Sequence, residues 1–214
     1  KVQFHQVIQT ENEYYVPAQY YYSHIAYTDK NYQTALEGFE KIADNEMFAS
    51  VVPYYITQIY YHQKRYDQLI EYAPKYYETI SDKRKGEFAK LIGDAYYYKK
   101  QYKEAIPFLL DFRKSSNATR EDYYQLGYSY YQEGDFENAT RFFSMAVSKK
   151  DALSQSAYYH MGDSYLQTNE KDKARNAFKA ASELEFDAEV KKNSLYNYAK
   201  LAYELSNNPY GEAI

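Results

Sequence analysis

Four histidines are the side chains of this sequence best suited to metal or acid–base chemistry. They are His5, His24, His62 and His160, and no two show the His-x-x-x-His spacing of a helical metal site. Cys is absent, which excludes disulfides, thiolate nucleophiles and cysteine metal ligands. Each Gly is isolated and no Gly-x-Ser-x-Gly occurs, so neither a phosphate-binding loop nor a serine nucleophile is indicated. We therefore predict no enzymatic activity, no metal site and no cofactor.

The paired charges are typical of helix ends. Glu121-Asp122 and Asp135-x-Glu137 begin predicted helices, whereas Lys99-Lys100 and Lys149-Lys150 end them, and both arrangements complement the helix dipole. The formal net charge of −4 argues against a nucleic-acid or anionic-membrane partner, which would require a basic face. No apolar run approaches the length of a membrane span.

Tyrosine is the residue type that remains to carry a function. The chain has 31 Tyr against 11 Phe and no Trp. A Tyr side chain combines a large, stiff contact surface with a polar tip, so it binds with little loss of rotamer freedom. The function therefore depends on the elements that position these rings.

Those elements recur with a spacing of 34 or 35 residues. The residues in register are Gly93, Gly127 and Gly162, and likewise Ala105, Ala139 and Ala174. Apolar residues three and four apart on both sides of turns such as Gly134-Asp135 predict pairs of short amphipathic helices. The small residues let two antiparallel backbones approach closely. Because one pair cannot bury its apolar faces, neighbouring pairs must stack.

One stretch shows the pattern most fully. It reads Tyr123-x-x-Leu126-Gly127-x-x-Tyr130, followed by Ala139-x-x-x-Phe143 and Ala146. This pattern resembles the tetratricopeptide repeat, a helix-turn-helix of about 34 residues. Two positions depart from the family pattern, because Tyr123 stands where Trp is frequent and Asp151 where Pro is frequent. The resemblance implies an all-α fold, namely a right-handed α-solenoid of stacked helix-turn-helix repeats.

The register divides the chain into five repeats with partial repeats at both ends. The expected boundaries are 1–15 for an N-terminal partial repeat or cap, 16–49, 50–85, 86–119, 120–154 and 155–188 for repeats 1 to 5, and 189–214 for a partial sixth repeat. The start of a further second helix after Asn207 leads us to expect that the chain is a piece of a longer array.

Three local features refine this prediction. We expect Pro74 and Pro107 to bend the second helices of repeats 2 and 3, because proline removes a backbone hydrogen bond. Thr119 and Asp122 have the spacing of a helix-capping pair for the first helix of repeat 4.

In this family the first helix of each repeat lines the inner, concave face, so the resemblance implies a set of partner-binding residues by register. They are Tyr20, His24, Tyr27, Tyr54, Tyr61, Lys90, Asp94, Tyr97, Tyr98, Glu121, Tyr124, Tyr128, Tyr131, Tyr159 and Asp163. They would line a groove for an extended peptide or a helix of a partner protein. The carboxylates Asp94, Glu121 and Asp163 would favour a basic segment. Only Lys90 matches the family's clamp for a C-terminal carboxylate, so we expect no such clamp.

Two other interpretations of these tyrosines stay open. The rings could bind a glycan or cell wall, or they could only pack on one another between repeats. Coplanar rings on a shallow floor would favour sugar, whereas deep pockets between first helices would favour peptide. Phrases such as Tyr196-Asn197-Tyr198 are similar to tetratricopeptide proteins of the Bacteroidetes cell envelope, which implies a periplasmic or envelope-associated protein. Exposed solenoid ends would also allow self-association.

Overall fold

The chain is helical throughout the residues that its structure describes. The structure is a computed structural model and describes residues 2–10, 12–114 and 118–206. Over these ranges it has twelve α-helices, one 3₁₀ helix and no strand, which confirms the predicted all-α class. The chain forms two compact units, Lys1–Gln101 and Tyr102–Ile214. Here they are called the N-terminal and the C-terminal unit.

The N-terminal unit contains six α-helices. They are α1 (Val2–Val7), α2 (Tyr15–Thr28), α3 (Tyr32–Glu40), α4 (Val52–His62), α5 (Tyr66–Tyr72) and α6 (Asp82–Tyr98). Each helix packs against the next one along the chain, and α4 also packs against α6. Phe39, Ile56 and Phe88 are fully buried between them, so the apolar positions three and four apart form the core.

The C-terminal unit contains the other six. They are α7 (Tyr102–Arg113), α8 (Arg120–Gln132), α9 (Phe136–Ala146), α10 (Ala152–Gln167), α11 (Lys171–Ser182) and α12 (Ala188–Ser206). Again consecutive helices pack together, and α10 contacts both α8 and α12. The first helices of neighbouring repeats therefore lie side by side in this unit.

The same turn joins first and second helices five times. The first helices are α2, α4, α6, α8 and α10, and a residue with positive φ stands two positions after the end of each. These residues are Lys30, Lys64, Lys100, Gly134 and Asn169. The following backbone N–H then donates to a carbonyl five residues earlier, as from Asp135 to Tyr130 at 3.0 Å. This bond satisfies a carbonyl at the helix end and reverses the chain.

Small residues set how closely the paired helices approach, as their spacing predicted. A Cβ atom added to Gly127 would lie 2.9 Å from Cδ1 of Phe143. A Cβ atom added to Gly162 would lie 2.8 Å from Cδ1 of Phe178. Each distance is shorter than a normal carbon contact, so only Gly allows the second-helix ring to lie against the first-helix backbone.

Two polar side chains at the start of first helices fasten the C-terminal unit. Arg120 donates from Nε to the carbonyl of Ala146 at 2.7 Å and forms a two-pronged ion pair with Asp151 at 2.6 and 3.0 Å. The fully buried Gln155 accepts on Oε1 from the N–H of Asp187 at 2.7 Å and donates to three backbone carbonyls. Each side chain thus fixes the end of a second helix and the start of the next first helix.

The local predictions fare differently. At Pro74 the α-helical pattern stops: α5 ends at Tyr72 and a 3₁₀ helix covers Ala73–Tyr76. Pro107 instead lies inside α7, which continues to Arg113. Thr119 and Asp122 form a capping box at the start of α8, which confirms that prediction. The further second helix expected after Asn207 falls outside the described residues.

Candidate functional site

A repeated hydrogen bond from a tyrosine links neighbouring first helices. In each case a Tyr in the last turn of one first helix donates to a Gln or Asp in the second half of the next. The bonds run from Tyr27 Oη to Gln58 Oε1 (2.8 Å), from Tyr61 Oη to Asp94 Oδ2 (3.0 Å) and from Tyr131 Oη to Asp163 Oδ2 (2.6 Å). We call these three bonds the tyrosine ladder.

The ladder keeps its hydroxyl groups protonated. Burial raises the pKa of Tyr61 and of Tyr131 well above the usual value, and the carboxylates of Asp94 and Asp163 raise them further. At neutral pH each Tyr is therefore a hydrogen-bond donor that holds its ring in one orientation. Rings fixed in this way lose little further freedom when a partner covers them.

In the N-terminal unit the rings gather around Tyr55, which the family register did not select. Tyr55 stacks on Phe39 with a centroid distance of 5.4 Å and its hydroxyl lies 3.2 Å from Nε2 of His24. Tyr27 contacts it edge-on at 5.3 Å. Of the predicted residues in α2, Tyr20 stacks on Phe48 at 4.4 Å. Tyr20, His24 and Tyr27 are half-buried and form one aromatic cluster with Tyr55.

Two predicted residues of the N-terminal unit are buried, in contrast to the open groove positions expected. Tyr54 is 7% exposed, and its hydroxyl donates to Oε2 of Glu87 at 2.5 Å. Asp94 is 2% exposed, with Tyr61 donating to it and Lys90 Nζ 3.6 Å away. The cause is that α4 and α6 exchange hydrogen bonds: Glu87 accepts from Tyr54 and Asp94 accepts from Tyr61. These bonds hold Tyr54 and Asp94 between the two helices. The charge of Asp94 is accordingly compensated within the unit.

The remaining predicted residues of the N-terminal unit are more accessible. Tyr98 is 49% exposed and stacks on Tyr66 at 5.1 Å. Tyr97 contacts Tyr98 edge-on at 5.9 Å. Lys90 is half-buried beside Asp94. The end of α6 therefore presents aromatic surface, whereas its middle is closed by an ion pair.

In the C-terminal unit, four predicted tyrosines surround one histidine. We call Tyr124, Tyr128 and Tyr131 on α8 together with Tyr159 on α10 the C-terminal tyrosine patch. All four are half-buried. The His160 ring lies 5.1 to 6.2 Å from each of them and 5.7 Å from Phe143.

His160 is neutral at pH 7 because of this packing. Burial lowers the pKa of His160 to about 4, although Asp163 acts in the opposite direction. Its Nδ1 atom is buried and has no hydrogen-bond partner in the described part of the chain. His160 therefore adds a fifth aromatic ring, without charge, beneath the patch.

The two carboxylates predicted for this unit lie beside the patch and are not neutralised. Glu121 is exposed and Asp163 is half-buried. Among the described residues no Lys or Arg side chain lies within ion-pair distance of either. Arg120, the neighbour of Glu121 in sequence, points its guanidinium at Asp151 instead. This half of the predicted site consequently retains net negative charge.

Family register missed two central residues, Tyr55 and His160. Both stand directly next to a selected Tyr. The register selects only certain positions of each first helix, so it passes over their neighbours in sequence. A signal was present in the adjacent aromatic pairs Tyr54-Tyr55 and Tyr159-His160, since consecutive helix positions project about 100° apart and can both contact a crowded aromatic surface.

No group of His, Asp and Glu in the described ranges is placed to hold a metal ion. No helix in those ranges is long and apolar enough to cross a membrane. What the described residues do present is aromatic surface, half-buried and flanked by carboxylates.

Comparison with known proteins agrees with this architecture. Residues 123–148 and 155–187 match the family model of the tetratricopeptide repeat, and they cover the pairs α8–α9 and α10–α11. No curated protein sequence matches the chain. The class that fold and site define is a helical-repeat protein with aromatic first-helix faces.

Solved structures extend the likeness over most of the chain. YrrB, described as a TPR protein with an unusual peptide-binding site, has a TM-score of 0.70 and 18% identity, covering 90% of this chain and 97% of its own. MamA of AMB-1 has a TM-score of 0.65 and 18% identity, covering 81% and 93%. A third structure is the C-terminal part of a TPR repeat-containing protein from Cytophaga hutchinsonii, a member of the Bacteroidetes. It has a TM-score of 0.58 and 19% identity, covering 90% of this chain and 74% of its own.

At these identities the likeness establishes the fold, which is that of an α-solenoid. The two matched segments are tetratricopeptide repeats by the family model, as their residues predicted.

Proposed function

We propose that the chain is a non-enzymatic interaction scaffold that binds a peptide or a helix of a partner protein on its first-helix tyrosines. The observation that carries this proposal is the C-terminal tyrosine patch, four half-buried rings held over His160 and next to Asp163. The fold supports it as well, because YrrB, which shares it, is described as having a peptide-binding site. Partly exposed aromatic rings are the side chains that dominate protein–protein binding.

Binding would follow from burial on surfaces that are already ordered. Covering one aromatic or aliphatic anchor contributes on the order of 1.5 to 3 kcal/mol, so two or three anchors supply useful affinity. The hydrogen bond from Tyr131 to Asp163 and the packing around His160 hold the rings before the partner arrives. Less conformational entropy is then lost on association.

The ring geometry favours peptide over the glycan or cell-wall alternative. A sugar-binding floor needs several coplanar rings, but the planes of Tyr128 and Tyr131 differ by 32° and those of Tyr128 and His160 by 72°. Only Tyr124 and Tyr128, at 16°, are close to parallel within this group. Tilted rings enclose a side chain better than they stack on a flat pyranose.

Two further expectations remain proposals. A periplasmic or envelope-associated location is motivated only by the Tyr-rich phrases of the sequence. Self-association is motivated by α12, where Tyr196 and Tyr203 are 69% and 71% exposed. In α10 the corresponding positions, Ala157 and Ser164, are fully buried. A helix of a second copy is the occupant we propose for this part of α12.

The binding proposal is tested by affinity capture from a lysate of the source organism with the full chain as bait. We would compare the parent chain with a variant carrying Tyr128→Ala and Tyr131→Ala, which spares the more deeply packed Tyr124. The matched control carries Tyr14→Ala and Tyr21→Ala, which removes two exposed tyrosines away from the patch. Circular dichroism and thermal melting verify that all three chains are folded.

We expect a protein that is retained by the parent chain and by the control but lost by the patch variant. Retention of the same proteins by all three chains would show that the patch does not bind. Loss from both variants would show that the binding is not specific to the patch.

A further inference from the structure

The two units differ in whether a basic side chain compensates their carboxylates. This difference indicates the chemistry of the partner. In the N-terminal unit, Asp94 is buried and has Lys90 beside it at 3.6 Å. In the C-terminal unit, the hydroxyl of Tyr131 is the one group among the described residues that donates to Asp163, and Glu121 is exposed. An uncompensated carboxylate next to partly buried rings is an attractive place for a cation.

The aromatic rings give a second, independent indication. Elsewhere in the chain, tyrosines carry a basic side chain over the ring: Arg84 lies 5.6 Å from the Tyr54 centroid, Arg65 lies 4.8 Å from Tyr60, Lys85 lies 4.9 Å from Tyr77 and Lys173 lies 5.5 Å from Tyr165. Within the described ranges no Lys or Arg lies over Tyr131 or Tyr159. The negative faces of these two rings thus lack the intramolecular cation that four other tyrosines have.

We propose that Tyr131, Tyr159 and Asp163 bind an arginine or lysine side chain of the partner segment, and that Glu121 attracts a second basic side chain of the same segment. This inference rests on the proposed function and deepens it, because it names the chemistry of the partner as basic. The first cation would lie against the Tyr131 and Tyr159 rings, with the carboxylate of Asp163 as its charged acceptor. Glu121 would meet the second one about 15 Å away along α8. Hydrogen bonds from an ammonium or guanidinium to a carboxylate are about twice as strong as neutral ones.

The environment places no opposing charge beneath this position. Burial lowers the pKa of His160 to about 4, so the ring beneath the patch is neutral at pH 7. Arg120 is already bonded to Asp151 and Ser154. Basic side chains of the partner would therefore meet attraction from Asp163 and from Glu121 without repulsion from His160 or Arg120.

Three labelled peptides of equal length serve as probes, measured by fluorescence anisotropy with the full chain. Their sequences alternate Ala with Arg, with citrulline or with Glu, so that citrulline keeps the shape of Arg without its charge. The test variant carries Glu121→Gln and Asp163→Asn, and the new Asn can still accept the Tyr131 hydrogen bond. Glu137→Gln with Glu189→Gln changes the charge equally at exposed sites away from the patch.

We expect the Arg peptide to bind the parent chain about tenfold more tightly than the citrulline peptide, since two partly exposed charge pairs contribute about that factor. The Glu121 and Asp163 substitutions should remove this preference, and the Glu137 and Glu189 substitutions should leave it. Tyr159→Leu, which keeps an apolar side chain without the ring, should weaken the Arg peptide more than the citrulline peptide.

Equal affinity for the Arg and citrulline peptides, or no measurable binding of the Arg peptide, would overturn the inference. So would an equal loss in both charge variants, because that result means general electrostatic attraction. A different result contradicts the proposed function itself, namely that the variant with Tyr128→Ala and Tyr131→Ala retains every captured protein. A chain that loses its partner in that variant but shows no Arg preference is still a scaffold, for an uncharged segment.

Discussion

His160 shows how one residue couples the candidate site to stability. Its ring fills the space beneath the C-terminal tyrosine patch, with its centroid 5.1 Å from that of Tyr131 and 5.7 Å from that of Phe143. A polar imidazole there, with Nδ1 unpaired within the described residues, is costlier than a hydrocarbon ring. What it gains in return is tight aromatic packing as long as it stays uncharged.

We expect this burial to make folding stability depend on pH through His160. Its pKa in the folded chain is about 4, below the ordinary value of 6.5, so the unfolded chain takes up the proton first as the pH falls. Stability contributed by the neutral ring is therefore complete above about pH 6.5 and is lost between about pH 6.5 and 4. The loss amounts to about 3 kcal/mol. Urea unfolding of the parent chain and of His160→Phe at a series of pH values measures it.

The two chains should diverge as the pH falls, since the Phe variant lacks this proton uptake. His62→Gln is the matched control, because His62 is exposed, and it should follow the parent chain. Parallel curves for parent and His160→Phe would show that His160 does not titrate differently on unfolding.

Sequence alone located most of the residues in the candidate site but not their individual environments. Helical periodicity placed Tyr124, Tyr128 and Tyr131 on one side of α8, because that arrangement depends only on spacing along one helix. Burial of Tyr54 depends on Glu87 approaching from α6, and burial of Asp94 depends on Tyr61 approaching from α4. Spacing within one helix carries no information on either approach. The sequence also could not show that an ion pair compensates Asp94, whereas Asp163 has none with any residue that the structure describes.

At the scale of elements, turns and caps were the most predictable features. Gly134, with φ of 77°, marks a turn that its small, flexible residue type had indicated. Lys64 adopts a similar φ of 55° in the equivalent turn, without any comparable signal in its residue type. The positive φ there is imposed by the helix pair that the turn joins.

Replacing Lys64 by Gly should therefore stabilise the chain by about 0.5 to 1 kcal/mol. The left-handed conformation costs a residue with a Cβ atom roughly 1 to 2 kcal/mol, which exceeds the extra unfolded-state entropy of Gly. Thermal melting followed by circular dichroism measures the change. Lys200→Gly, an exposed position inside α12, is the opposite control and should destabilise by up to about 1 kcal/mol. A lower melting temperature for Lys64→Gly would contradict the argument.

The hydrogen bonds of Gln155, which connect the end of α11 to the start of α12, lead to a second prediction at this scale. Gln155→Leu fills a similar volume but leaves the N–H groups of Phe186 and Asp187 and three carbonyls without this partner. We expect a loss of about 3 kcal/mol, since unpaired buried polar groups cost about 1 to 3 kcal/mol each and some will regain water. Chemical denaturation measures it. Gln132→Leu at the exposed end of α8 should change stability by less than about 0.5 kcal/mol.

At the scale of the whole molecule, helical repeats make stability a local property. Each repeat contacts its sequence neighbours, so free energy is approximately a sum of repeat and neighbour contributions. The two compact units, each with its own buried Phe residues, suit such behaviour. A change in close packing should consequently be felt most in the unit that contains it.

Gly162→Ala tests this idea, because the added Cβ would lie 2.8 Å from Phe178. We expect a loss of about 2 kcal/mol, visible in hydrogen exchange as faster exchange in α10 and α11 while the amides of α2 and α3 stay protected. Gly38→Ala is the reciprocal control: its Cβ would lie 2.1 Å from Oγ of Ser23, so α2 and α3 should lose protection and α10 and α11 should keep it. Equal acceleration in all helices for both variants would mean that the chain unfolds as one cooperative body, and a partner bound at the C-terminal tyrosine patch would then stabilise every repeat alike.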